Sequence, residues 1–444
     1  MNAASRFVER GDVLSWGRVV RRPQRLARPH FADELPALLD DPAATDSLLA
    51  IGLRRSYGDS GLNSEGAVID MTGLDHFIAF DAGTGLLRAE AGVSLSQVLQ
   101  LVVPKGWFLP TTPGTRFVTL GGAVANDVHG KNHHRAGSMG CHVTRLGLLR
   151  GDGERLELSP EENAGLFAAT IGGLGLTGVI EWVELKLAKI GSAFLDVEII
   201  PYGSLDEFWA LAEESTERFE HTVAWADCMP AGRGRGVFSR ANWTYEGDYK
   251  AHGDRAWKNM PVDLPGFTLN KLSVSAFNEF YFRAHRWKAG RVRQHYSVFF
   301  YPLDAIHNWN RLYGKRGMLQ FQCVVPWASA RPAMDALMAA IAQSGQASFL
   351  TVLKTFGDIA SPGLMSFPRP GATLALDFPN RGEETLALMG RLDAITREAG
   401  GALYPAKDGR MSREMFRLSF PRWEEFAQAK DPKMNSDFWR RMAA

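Results

Sequence analysis

The densest run of chemically capable side chains lies at 126–134, Asn126-Asp127-Val128-His129-Gly130-Lys131-Asn132-His133-His134. Its three histidines admit three readings. His129 and His133 are four apart, as metal ligands on one helix face are, but Gly130 interrupts the spacing and no acid follows at the expected place, so no metal site is expected. The second reading is a surface loop. The third is a ring of donors around an anionic or quinone-like cofactor. Just upstream, Thr119-Leu120-Gly121-Gly122-Ala123 opens a short helix on paired glycines. Such a start aims bare N–H groups at a diphosphate, and the same pair equally suits a helix packed tightly on a strand. Leu53-Arg54-Arg55-Ser56-Tyr57-Gly58-Asp59, between Gly52 and Gly61, makes a second loop rich in N–H groups and hydroxyls.

Several familiar chemistries are excluded. Gly172-Gly173-Leu174-Gly175 precedes an apolar strand instead of following one and opening a helix, so it is not a dinucleotide fingerprint of the Rossmann type. No GxxxxGK[ST] and no GxSxG occurs, which removes P-loop NTPases and ordinary α/β hydrolases. The 50 Lys and Arg balance 49 Asp and Glu, so no global field draws the chain to nucleic acid. Cys141, Cys228 and Cys323 are far apart and odd in number, which fits neither a disulfide framework nor a CxxC knuckle, and points to a reducing, cytoplasmic compartment. The first 20 residues lack an apolar stretch of signal length, and Arg21-Arg22 is followed by Pro23, Gln24 and Arg25 where an export signal needs an apolar run. No transmembrane segment is expected; peripheral membrane contact stays open.

The elements that must position these loops follow from the glycines. Of 45, 23 fall within 52–178, where the chain must turn sharply or approach something closely. Short strands are expected there at 67–71, 76–80 and 86–91, a helix after Ser94, a hairpin over 146–158 and a strand over 179–187. From about 193 the elements lengthen. Strands are expected at 193–200, 222–228, 294–301, 318–325, 347–355 and 373–378, and helices at 205–219, 305–313, 332–342 and 383–398. The order fits an α+β fold, a sheet with helices on one face. Residues 232–293 are weakly patterned and rich in Arg and aromatics, as a mobile segment would be. Of these, Phe238, Trp243, Trp257, Phe267, Phe277, Phe280, Tyr281 and Phe282 would line a lipid groove or fill a core, with Arg283, Arg286 or Arg291 near a phosphate.

The order RSYGD (55–59), VIDMTGLD (68–75), AEAGVSLSQVL (89–99), PGT (113–115), TLGGAVANDVHGKNHHRAGSMG (119–140), GDGE (151–154) and GGLGLTGVI (172–180) resembles the FAD-binding half of the vanillyl-alcohol oxidase superfamily, and within it the decaprenylphosphoryl-β-D-ribose 2′-oxidase family. The likeness continues through YPLDAIHNWNRLYG (301–314), LQFQCVVP (319–326), LKTFG (353–357) and YPAKDGR (404–410).

That resemblance implies a two-domain fold: a split FAD-binding domain from 1–192 completed by 402–444, with a substrate domain at 193–401 built on an antiparallel sheet covered by helices. It implies that the diphosphate of FAD lies along 53–59, Gly114 and 119–122, with Asn126, Asp127, Val128, His129, Val179, Ile180 and Tyr404 near the flavin. Many relatives tether FAD through a His in the first loop; Tyr57 and Gly58 stand there, which implies non-covalent FAD. Lys407 and His129 are the implied catalytic residues, and Lys131, Gln320, Gln322, Lys354, Phe356 and Phe300 the implied substrate contacts, Gln320 and Gln322 alternating on one strand face. The implied reaction is oxidation of the 2′-hydroxyl of a polyprenylphosphoryl ribose, with a short-chain reductase as the partner that completes an epimerisation. A D-arabinono-1,4-lactone oxidase type of activity and a non-catalytic flavin-binding subunit are the alternatives. Thr373-Leu374-Ala375, Asn126 and Phe300 depart from the mycobacterial pattern of Asn-x-Cys, Cys and Tyr.

Overall fold

Period-two alternation organises the largest sheet of the protein. In the computed structural model, which describes residues 5–44, 46–230, 232–253, 258–346 and 348–443, strand Met318–Val325 turns Phe321, Cys323 and Val325 into a core shared with three helices, Leu205–Ser215, Trp327–Ser344 and Glu383–Glu398. Gln320 and Gln322, on the alternate positions, face a cavity. Thr351–Phe356 and Gly371–Pro379 repeat the pattern: Leu353, Leu374 and Leu376 join the helix-side core, while Val352, Lys354, Thr373 and Ala375 face the cavity. The full sheet has eight strands in the order Gly290–His295, Phe194–Tyr202, Gly236–Trp243, His221–Ala226, Thr351–Phe356, Gly371–Pro379, Met318–Val325 and Ala402–Leu403, every pair antiparallel.

The glycine-rich part of the chain builds two smaller sheets. One is a five-stranded antiparallel sheet ordered Phe77–Asp81, Leu86–Glu90, Val179–Lys186, Val143–Leu149 and Arg155–Leu158. The other has four strands, with Gln24–Ala27, Ala67–Asp70 and Leu48–Ile51 parallel and Val8–Arg10 antiparallel at its edge. Helix Leu95–Val102 starts on Ser94, which accepts from Gln97 N while the Gln97 side chain returns to Ser94 N.

The C-terminal helices return to this glycine-rich part. Leu48 N donates to Lys433 O and Asn435 N to Leu48 O. Arg441, on helix Asp437–Ala443, bridges the buried carboxylates of Asp59 and Asp408 at 2.9 and 3.1 Å. Losing that guanidinium would leave two low-dielectric carboxylates side by side, which typically costs about 3 kcal/mol or more. Arg441→Ala should therefore lower the thermal unfolding midpoint by several degrees in a calorimetric scan, and an unchanged midpoint would show the bridge to be idle.

Four expectations about elements need correction. The strand expected over 294–301 ends at His295, whose Nδ1 accepts from Ser297 N; the chain then enters helix Tyr296–Phe300, burying Tyr296, Phe299 and Phe300 at helical spacing. The helix expected over 305–313 is two 3₁₀ turns, Pro302–Ala305 and Trp309–Tyr313, separated where Asn308 takes a φ of 55°. The helix expected from Pro332 begins at Trp327, so that proline sits inside it instead of at its start. Residues 232–293 contain an internal strand of the large sheet, Gly236–Trp243, a long helix, Lys271–Trp287, and the edge strand Gly290–His295. Arg240 is the reason the internal strand reads poorly. It is buried in mid-strand, and Glu198 and Glu214 at 2.7 and 3.0 Å satisfy its charge.

Candidate functional site

One cavity of about 700 Å³ lies between the cavity face of the eight-stranded sheet and the glycine-rich loops. The loops that bound it are built by close backbone approach. Thr119 caps helix Leu120–Ala125, accepting from Gly122 N at 3.2 Å, and a Cβ on Gly52 would sit 2.1 Å from Thr119 Oγ1. The two readings of the glycine pair divide between its members. A Cβ on Gly121 would press on Ala91 Cβ at 2.8 Å, so Gly121 serves packing. A Cβ on Gly122 would meet only Thr119 Oγ1, at 2.9 Å, and one on Gly114 would meet nothing within 4 Å, so these two leave backbone open to the cavity.

Most of the residues singled out in the sequence stand in the cavity wall: Leu53, Arg54, Arg55, Ser56 and Tyr57 on the first loop, Gly114, Thr119, Gly121, Gly122, Asn126, Val128, His129 and Lys131 along the second, then Ile180, Phe300, Gln320, Gln322, Lys354, Tyr404 and Lys407. Six do not, and each has other work. Leu120 and Val179 are core residues. Gly58 lets two segments touch: a Cβ there would lie 1.4 Å from Asp408 O, while Tyr57 N donates to Ala406 O. Asp59 is the partner of Arg441. Asp127, at a φ of 41°, turns its carboxylate away from the cavity to accept from Gly140 N, Ser361 Oγ and Ser366 Oγ at 2.6–2.7 Å. Phe356 stands behind the wall, 4.8 Å from the His129 ring and 4.5 Å from that of His133. Of the aromatic segment, Tyr281 lines the cavity, Phe238 is buried in the helix-side core, Trp243 packs on Phe108, and Trp257 lies outside the described residues. Arg283, Arg286 and Arg291 are exposed and away from the wall.

The electrostatics of the wall are those of partly desolvated cations. Lys131 and Lys354 are half-buried at the cavity wall, without ion pairs among the described residues; Lys131 Nζ donates to Phe299 O and Lys354 Nζ to Gly130 O. Burial brings Lys131 down to about 7, helped by the charge of Lys354, and Lys354 down to about 8, helped by that of Lys407. Lys407 lies with Nζ 4.2 Å from the centre of the Tyr57 ring. Burial lowers its pKa too, against the pull of Asp377, whose own carboxyl burial pushes up and whose Oδ1 accepts from Gln320 Nε2. His129 is held neutral, first by burial and then by the cations around it. Gln322 Nε2 faces its Nε2 at 3.1 Å, which as donor leaves the ring proton on Nδ1. Tyr404 donates to Asn126 O at 2.8 Å and stacks on Phe367.

Sequence reasoning passed over two features of this site. Asp377 is a buried acid beside Gln320 and Lys407, and its only signal was an Asp in an otherwise apolar strand. Trp16 stacks under Arg55, whose guanidinium carbon is 4.1 Å from the ring centre; nothing in the local pattern marks that pairing, which joins residues 39 apart. Among the described residues no group of three or more His, Cys, Asp or Glu is placed to hold a metal ion, and no helix is long and apolar enough to cross a membrane.

A dinucleotide fits this wall. Asn126 Oδ1, His129 Nδ1 and Gln320 Oε1 are buried with no partner among the described residues, so polar groups await a ligand. Gly114 and Gly122 admit close backbone approach, and Arg54, Arg55 and Ser56 offer charge and hydroxyl on the opposite loop.

Comparison with known proteins agrees. Residues 23–159 match a family model described as an FAD binding domain. The chain is 36% identical over 415 residues, 89% of each chain, to the decaprenylphosphoryl-beta-D-ribose oxidase of Mycolicibacterium smegmatis. It is 31% identical over 373 residues to an uncharacterized protein of Streptomyces coelicolor, covering 79% of this chain and all of that one. A D-arabinono-1,4-lactone oxidase of Yarrowia lipolytica is 23% identical over 203 residues, 43% of this chain and 38% of its own.

Proposed function

Since this chain belongs to the family of the mycobacterial decaprenylphosphoryl-β-D-ribose oxidase, and is an FAD-dependent oxidoreductase, we propose that its substrate is a polyprenylphosphoryl ribose whose 2′-hydroxyl becomes a ketone. The observation that carries this reading is the pair of half-buried, unpaired lysines, Lys131 and Lys354, in a wall that also holds Gln320 and Gln322. A neutral aldonolactone gives two desolvated cations nothing to offset their burial; a phosphodiester does.

FAD, when bound, supplies the acceptor for the hydride that leaves the sugar carbon. The chain does the rest. Loops 53–59 and 114–122 hold the cofactor without a covalent tether. Lys131 and Lys354 take the phosphate, Gln320 and Gln322 orient sugar hydroxyls, and Lys407, brought within reach of a neutral form by burial, accepts the hydroxyl proton at Nζ. Asp377 keeps that proton from being lost outright by favouring the ammonium once it forms. His129, neutral and fixed by Gln322, offers Nδ1–H to the ligand. In this reading residues 1–192 and 402–444 form the cofactor unit and 193–401 the substrate unit, and the ketone passes to a separate short-chain reductase.

Anaerobic mixing tests it. The flavin absorbance should bleach with polyprenylphosphoryl ribose and persist with D-arabinono-1,4-lactone, and acid precipitation should leave a colourless pellet. Bleaching by the lactone alone, with peroxide formed in proportion to turnover in air, would favour the lactone oxidase instead.

A further inference from the structure

Helix Lys271–Trp287 is amphipathic in the wrong sense for a surface helix in water. Its inner seam, Val274, Asn278, Tyr281 and His285, recurs at helical spacing; Asn278 donates to Asp227 Oδ1, and Tyr281 and His285 reach the cavity wall. The face directly opposite should be polar. Instead it carries Leu272, Ala276, Phe280 and Trp287 around a single charge, Arg283, which is paired with Glu279; Leu272 is 82% exposed, Phe280 71% and Trp287 94%, and Phe267 just before the helix is 76% exposed. Exposed apolar side chains of this size gathered on one helix face mark a docking surface.

The charge around the stripe says what docks. Between residues 267 and 291 there are five cations, Lys271, Arg283, Arg286, Lys288 and Arg291, and one acid, Glu279, in a chain whose overall net charge is only +1. Glu279 is occupied by Arg235 and Arg283. Arg286, Lys288 and Arg291 are exposed beside Trp287 at the helix end. A large indole at the margin of an apolar stripe, ringed by cations without ion pairs among the described residues, matches the interface of an anionic bilayer, where the ring sits among headgroups and the cations pair with lipid phosphates.

We infer that this helix lies on an anionic lipid surface, its Leu272–Phe280–Trp287 face inserted and its basic residues on the headgroups. Because the inner seam is part of the cavity wall, docking sets the cavity beside the lipid. The inference rests on the exposed face and the cations around it, and does not depend on the substrate assigned above.

Vesicle flotation with the full-length, FAD-loaded protein tests it, with no turnover needed. Vesicles of phosphatidylcholine with about 30 mol% phosphatidylglycerol should carry the protein upward, while phosphatidylcholine alone, or about 0.5 M salt, should release most of it. Phe280→Glu with Trp287→Glu should lower the vesicle-bound to free ratio at least about tenfold. Arg286→Glu with Lys288→Glu should lower it on anionic vesicles while leaving the flavin spectrum unchanged, which guards against a folding defect in the first pair. Binding that is insensitive to both pairs, or no binding by the wild type, would overturn the inference. So would a wild type that elutes as a dimer and stays off vesicles while Phe280→Glu/Trp287→Glu elutes as a monomer, since the face would then belong to a second copy.

Discussion

Replacing Lys407 with Met is expected to leave FAD bound and to slow its anaerobic reduction by substrate about 10²- to 10⁴-fold, the usual worth of a positioned general base. The cofactor loops do not rely on this side chain. Backbone contacts fix this segment, Tyr57 N donating to Ala406 O and Gly58 lying against Asp408 O; the amine adds only its place over the Tyr57 ring, where a Met side chain also packs, so the segment should keep its place in the variant. What Met removes is a half-buried amine whose pKa, brought down to about 8, lets it exchange a proton near neutral pH. An amine with its ordinary pKa of 10.5 would be a permanent ammonium there and could accept nothing; burial lowers that value. Asp377 opposes the shift, so Asp377→Asn should push Lys407 further toward the neutral form and move the acidic limb of the kcat profile to lower pH. A Lys407→Met enzyme that keeps more than about a tenth of the wild-type reduction rate in stopped flow would remove the lysine from the mechanism.

Lys407 also shows where sequence reading works and where it stops. Nothing local distinguishes it from a solvated loop lysine between Pro405 and Asp408; its burial comes from Tyr57, some 350 residues earlier in the chain, and from Asp377 on a strand of the large sheet. Period-two and helical patterns did register where one face meets a core and the other does not. Strand 318–325 and helix 383–398 were legible to the residue for that reason. Gly236–Trp243 was not, because a buried Arg240 satisfied by two glutamates breaks the apolar pattern on which such reading depends. The chemistry-bearing loops were legible as loops, since glycine spacing records backbone approach. Which member of each loop faces the cavity was not, and Asp127 illustrates why: its positive φ turns the carboxylate toward Ser361 and Ser366, partners more than 230 residues away.

The second large effect concerns substrate affinity and its pH dependence. Lys354 is held at about 8 and Lys131 at about 7, both well below the ordinary 10.5, and a phosphodiester stays anionic throughout this range. Both amines are therefore charged in mild acid, Lys131 loses its proton first as pH rises, and Lys354 follows. The KM for a phosphate-linked substrate should be lowest below about pH 7 and climb steeply toward about pH 9, the reverse of what a rising supply of neutral Lys407 does to kcat. Lys354→Met removes one charge-assisted contact, worth about 1.5–3 kcal/mol, so KM should rise about 10- to 100-fold with kcat little changed. It should also do something less obvious. Lys354 is part of what depresses Lys131, so in the variant the remaining rise in KM should move to higher pH instead of disappearing. A neutral lactone has no charge for either amine to hold, and its KM would be flat across the same range. A flat KM for the phosphorylated substrate, in wild type and variant alike, would mean that the two lysines face something other than its phosphate.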